Sequence, residues 1–88
     1  MEKILEEIRT ERKRQHKLWG DRFDDENTSN DWLAYITMYG SEGAGVTDSG
    51  RPKDFRDAMM KVATLAVAAI EAIDRNGGTP LRHYDRKD

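Results

Sequence analysis

The sequence predicts an all-α fold: a small helical bundle with three main helices, at about 2–19, 29–39 and 53–76, completed by a homo-oligomeric partner. Three observations carry this expectation. The stretch 58–73 is apolar at almost every position, broken only by Lys61, Thr64 and Glu71, and a helix apolar nearly all round is a buried one. Ile4, Ile8, Leu18 and Trp19 recur at helical spacing in the first segment, with Leu5 on the flank. Thr28 followed by Asp31 has capping-box form ahead of Trp32, Leu33, Tyr35, Ile36 and Tyr39.

The first helix opens with Glu2, Glu6 and Glu7 and carries its bases late, an order that suits the helix macrodipole. Gly20 is its natural stop. The polar segment 21–30 reads as a loop, and its Asp24-Asp25-Glu26 run as solvated charge. The second helix is expected to end at Gly40. The segment 40–52, with four glycines, one proline and several small polar residues, then reads as a mobile loop, and its Gly-Ser-Glu-Gly-Ala-Gly run lacks the strand and the Gly-Lys-Ser/Thr ending of a phosphate loop. The third helix stops at Arg75-Asn76-Gly77-Gly78, and its alanines at 63, 66, 68, 69 and 72 let neighbouring helices approach closely. Residues 1–78 therefore read as one domain and 79–88 as a polar arm.

The bulk numbers narrow the classes of function. Eighty-eight residues, 36% hydrophobic and 36% charged, make one core that sits near the stability threshold. With no cysteine, disulfides and thiolate metal sites are excluded, which leaves oligomerisation as the common remedy. A net charge of −2 argues neither for a nucleic-acid coat nor for an acidic tail, and no long nucleic acid is expected as a partner. No run approaches the roughly 20 apolar residues of a membrane span, and Met1-Glu2-Lys3 is not the start of a signal peptide, so a cytoplasmic protein is expected. His16 and His83 lie far apart, and no nucleophile–base arrangement is visible.

The residues with chemical promise are acidic and aromatic. Glu11 and Gln15 fall on the apolar stripe of Ile4, Ile8 and Leu18, and a carboxylate there needs a counter-ion, a hydrogen-bond network or a metal. Its partner is either Arg56 or Arg75, or a ligand site between helices that Glu7, one turn earlier, can join. Glu71 and Asp74 form a second acidic pair, three residues apart. Acidic pairs on two helices are how bundles build Mg²⁺ sites with room for phosphate. The competing reading is a solvated edge, with Glu71 paired to Arg75 and Asp57 to Lys61. The basic run Arg9, Arg12, Lys13, Arg14 and Lys17 reads as a solvated face. Exposed aromatics beside cations, Tyr84 above all, can stack on a base while the cation meets phosphate.

The segments Glu11-Arg12-x-Arg14-Gln15-x-x-x-Trp19-Gly20, Asn30-Asp31-Trp32, Phe55-Arg56-x-x-Met59-x-Lys61-Val62-Ala63 and Ala68-Ala69-Ile70-Glu71-Ala72-x-Asp74-Arg75 resemble small phage-encoded proteins. Those proteins are similar to the MazG-like all-α nucleoside triphosphate pyrophosphohydrolases. The resemblance implies an oligomeric bundle in which carboxylate-held Mg²⁺ grips a triphosphate while water attacks. Glu71-Ala72-Ile73-Asp74 has the E-x-x-D form of that family, whereas the E-E-x-x-E form is missing from helix two.

Two functions follow as expectations. One is a Mg²⁺-dependent (d)NTP pyrophosphohydrolase: Glu11 and Glu71 catalytic, Glu7, Glu11, Glu71 and Asp74 on the metal, and Gln15, Trp19, Lys61, Arg75 and Tyr84 on the nucleotide. The other is an oligomeric binder without chemistry that sequesters a cyclic signalling nucleotide of host defence. A purely structural or protein-binding role stands behind both.

Overall fold

A computed structural model describes residues 1–47 and 52–85, and all described regular structure is helical. α1 spans Glu2–Trp19, α2 Arg22–Glu26, α3 Ser29–Thr47 and α4 Pro52–Asn76, followed by a short 3-10 turn at His83–Asp85. None of these helices is long and apolar enough to cross a membrane.

The helix ends follow from local chemistry. Gly20 adopts φ +67°, which a side chain resists, and its N–H bonds the His16 carbonyl at 2.8 Å, closing α1. At the start of α3 the capping box is reciprocal. The Thr28 N–H donates to Asp31 Oδ2 at 2.9 Å, and the Asp31 N–H donates to Thr28 Oγ1 at 3.3 Å. Pro52, whose missing N–H costs nothing in a first turn, opens α4. At its far end Gly77, at φ +74°, returns its N–H to the Ile73 carbonyl at 2.8 Å.

α3 and α4 lie along each other as a hairpin, the main interface of the fold, and α1 and α2 each touch α4 on one side of it. The core is small: Trp32 from α3 packs against Ala68 and Ala72 of α4, with Leu65 and Ala69 around them. Thr64 is buried on the same helix, where its hydroxyl donates back to the Met60 carbonyl at 2.7 Å and so needs no outside partner.

Four expectations are corrected here. α3 does not end at Gly40 but runs to Thr47, so residues 40–47 are helix and not loop; residues 48–51 lie outside the described residues. The reason is packing. A Cβ at Gly43 would stand 3.4 Å from the Ala58 Cβ and 2.9 Å from the Met59 methyl, so glycine permits the close approach of α4 that stabilises the extra turns. The 21–30 segment is not all loop, because α2 forms within it. α4 is not buried all round: Ile70 and Ile73 are 57% and 41% exposed. Finally, α1 buries no residue, and Ile4 and Leu18 of its supposed core stripe are exposed.

Charged side chains hold α1 and α2 in place. Arg12, with only 13% of its side chain exposed, donates from Nε to Glu71 of α4 at 2.8 Å and from Nη2 to Asp24 of α2 at 2.9 Å. Its Nη1 reaches Gln15 Oε1 at 2.5 Å. One guanidinium thus ties three helices, contrary to the expected solvated face. Asp25, expected to be solvated loop charge, instead accepts from Arg75 at 2.5 Å and from Asn76 at 2.8 Å. An Arg12→Ala chain should lose about 1–3 kcal/mol, since it strands Asp24 while half-exposed Glu71 rehydrates. Differential scanning calorimetry should show this as a melting point lower by roughly 5–15 °C, whereas Arg9→Ala, at an exposed pair, should change little.

Candidate functional site

The side of the hairpin that faces α1 and α2 is not filled. A cleft of about 870 Å³ opens there, walled by α1, the α1–α2 turn, α3 and α4. Its size lies within the range of small-molecule sites.

The aromatic wall comes from helical spacing. Trp32, Tyr35 and Tyr39 stand three and four residues apart on α3, so one face of the helix carries all three rings into the cleft. Trp32 forms the floor at 5% exposure, and its buried indole N–H has no acceptor among the described residues. Tyr35 is more open at 44%. Trp19 at the end of α1 and Phe23 on α2 close the opposite rim, exposed at 54% and 63%. Such half-open rings offer apolar faces to a flat ligand.

The polar wall is zwitterionic. Glu7 of α1 accepts from both terminal nitrogens of Arg56 of α4, at 3.3 and 2.6 Å. Glu11 accepts from Arg14 at 2.9 and 2.6 Å and from Gln15 Nε2 at 3.4 Å. The hydrogen bond from Arg56 holds the Glu7 carboxyl below its ordinary value, and that from Arg14 does the same for Glu11. Lys61 stands over the Tyr39 ring, its ammonium 5.0 Å from the centroid, and Arg14 stands 6.0 Å from the centre of Trp19. Among the described residues Lys61 is the cleft cation with no carboxylate bound to it.

The cleft gathers some of the residues singled out by sequence and leaves others outside. Glu7, Glu11, Gln15, Trp19 and Lys61 all line it. Glu71, Asp74, Arg75 and Tyr84 do not. Glu71 bonds Arg12, and Arg75 bonds Asp25 instead of Glu71. Asp74 is exposed. Tyr84 is held in the arm, its hydroxyl accepting from Asn30 at 3.0 Å and its ring stacked under Arg82 at 4.6 Å. Glu11 pairs with Arg14, a neighbour on its own helix, rather than with Arg56 or Arg75.

The four carboxylates expected on Mg²⁺ therefore do not meet within one chain. Among the described residues no three acidic or histidine side chains stand together as a metal site. Glu7, Glu11 and Glu71 each hold an arginine, and the donor set does not fit a shared cation.

Asp57, Arg56, Tyr35, Tyr39, Phe23 and Asn27 were not assigned to the site from sequence, yet all line it. The 32, 35, 39 spacing of aromatics was the available signal for two of them. No protein-family model, curated protein or solved structure matches this chain.

The ion pairs give the fold a defined acid response. Arg56 at Glu7, Arg14 at Glu11, and Arg75 with Asn76 at Asp25 each depress a carboxyl in the folded chain. A carboxylate with a depressed folded value stabilises the fold above the unfolded carboxylate range and loses that contribution as pH falls. Melting temperature should be flat from neutrality to about pH 5 and fall steeply below about pH 4. Thermal melts by circular dichroism across that range check it. A melting point that rises on acidification contradicts the assigned pairs.

Proposed function

We propose that the chain binds a nucleotide of low charge in this cleft and releases it unchanged. The observation that carries the reading is the juxtaposition in one 870 Å³ cleft of open aromatic faces and the Lys61 ammonium over Tyr39. A base stacks on the rings, and a phosphate oxygen meets the cation.

Charge decides which nucleotide. Glu7 is matched by Arg56, Glu11 by Arg14, and Asp24 by Arg12 behind the wall. Asp57 and Lys61 complete a cleft that is close to neutral. A triphosphate would bring about four negative charges into that environment with Glu7, Glu11 and Asp57 nearby, a repulsive arrangement. A phosphodiester carries one charge per phosphate, which Lys61 matches. The cyclic nucleotides are therefore the favoured class, and sequestration of such a ligand is the favoured role.

Calorimetric titration with cyclic mono- and dinucleotides, monophosphates and triphosphates tests the reading, each with and without Mg²⁺, followed by chromatography of the recovered ligand. Saturable binding of a cyclic nucleotide that needs no Mg²⁺ and returns intact is the expected result. Heat of binding from none of the panel overturns it. Conversion of a triphosphate to monophosphate and pyrophosphate overturns the non-catalytic reading in favour of the hydrolase.

A further inference from the structure

α1 is fastened across the cleft at two points. Toward its start Glu7 holds Arg56, and farther along Arg12 holds Glu71. Both partners stand on α4, about 22 Å apart along its axis. The α4 residues Asp57, Lys61, Thr64 and Ala68, which line the cleft, fall between those two points. α1 thus bounds the cleft as a strap, with Glu7, Glu11 and Gln15 on its inner side.

The two fastenings differ in strength. Arg12 is well covered and binds Asp24 of α2 as well as Glu71. α2 is in turn fixed to the end of α4, because Asp25 accepts from Arg75 and Asn76. Gly20 joins α1 to this anchored corner. The other fastening is open to solvent: Arg56 is 50% exposed and Glu7 40%, so water and salt compete with the pair. Apolar packing adds little, since α1 contributes no buried side chain, Ile4 is exposed, and Leu5 and Ile8 are only half-buried. α1 can move without unravelling. Its Glu6–Arg9 and Glu11–Arg14 pairs lie within the helix and travel with it.

We infer that α1 is a hinged strap over the cleft, pivoting at Arg12 and Gly20 and latched at its free end by the Glu7–Arg56 pair. Release of the latch widens the cleft at the Asp57 and Lys61 end of α4, while the Trp19 and α2 corner keeps its place. The device concerns access to the cleft and holds for whatever ligand the cleft takes.

The chain has no cysteine, so paired nitroxide labels read the strap by double electron–electron resonance on the full chain without ligand. Lys3→Cys with Lys53→Cys reports the free end of α1 against the start of α4. Lys17→Cys with Asp74→Cys reports the anchored end, and all these positions are exposed. In about 20 mM NaCl each pair should give one main distance. In about 1 M NaCl the first pair should gain a population longer by about 5 Å or more, roughly threefold above its low-salt level, while the second stays in place. Glu7→Gln removes the charge of the latch at a half-exposed site, and should show the longer population already at low salt with its helical circular dichroism intact. Arg56→Gln should do the same from the other side. A free-end distance unchanged by salt and by both variants overturns the inference, as does opening by salt that neither variant reproduces. Equal lengthening of both label pairs also overturns it, since α1 would then detach whole. None of these results bears on the nucleotide reading, and a cleft that binds no nucleotide leaves the strap unaffected.

Discussion

A Trp32→Ala chain should lose about 3–5 kcal/mol, a third or more of the stability of a domain this small. Among the described residues Trp32 is the one large side chain in the buried core, 5% exposed and packed on Ala68 and Ala72. Its removal leaves a void that the surrounding alanines are too short to fill. Truncating a buried tryptophan costs about 3–5 kcal/mol, and a domain of this size has a total stability of only about 4–13 kcal/mol. Urea denaturation followed by circular dichroism should show the midpoint lowered by roughly 2–4 M. Phe23→Ala provides the contrast: at 63% exposure it should cost less than about 1 kcal/mol. Because Trp32 is also the floor of the cleft, stability and site are damaged together in the first variant and separated in the second.

The second large effect belongs to the cleft. Lys61→Glu should leave the melting point within a few degrees of wild type, because Lys61 is exposed and carries no ion pair among the described residues. Affinity for the cyclic nucleotide should fall by about a hundredfold. The change removes a phosphate partner and adds a carboxylate beside Glu7, Glu11 and Asp57. Trp19→Ala should weaken binding by about tenfold through lost stacking, in keeping with 1–3 kcal/mol per stacked base. Calorimetry on both variants checks this. Equal affinity of wild type and Lys61→Glu would mean that the phosphate lies elsewhere.

Much of the architecture is legible in the sequence, for reasons that differ by element. α1 and α4 declare themselves through stops that act locally: Gly20 and Gly77 in the left-handed region, and Arg75-Asn76 before the second of them. The Thr28–Asp31 box is likewise a contact between neighbours. What the sequence hides is stabilised across the chain. Glycine in a helix is locally unfavourable, so Gly40 reads as an end. Only the approach of Ala58 and Met59 shows why Gly43 belongs within α3. α2 has a single apolar residue, Phe23, and no period to detect. It is helical with Arg12 and Arg75 gripping Asp24 and Asp25 from other segments.

The site divides in the same way. Glu7, Glu11, Gln15 and Trp19 share a face of one helix, so spacing alone groups them. Glu71 and Asp74 looked like their complement because two acidic pairs on two helices resemble a metal site. The register between α1 and α4 instead sets Glu71 against Arg12, while Glu11 stays with Arg14 of its own helix. No spacing rule within either helix contains that register. Tyr84 drew notice for lying outside the helices, and its hydroxyl is engaged with Asn30 away from the cleft.

The measurement that reaches the central claim most directly uses the two tryptophans of the chain. Both line the cleft, Trp19 at its rim and Trp32 at its floor. In a ¹⁵N–¹H correlation spectrum they give two indole N–H signals, well apart from the backbone. Titration with a cyclic nucleotide should move both, with the same saturation curve, while the backbone amide of exposed Leu81 stays still. Two indole signals that remain in place under saturating ligand would contradict a nucleotide in this cleft.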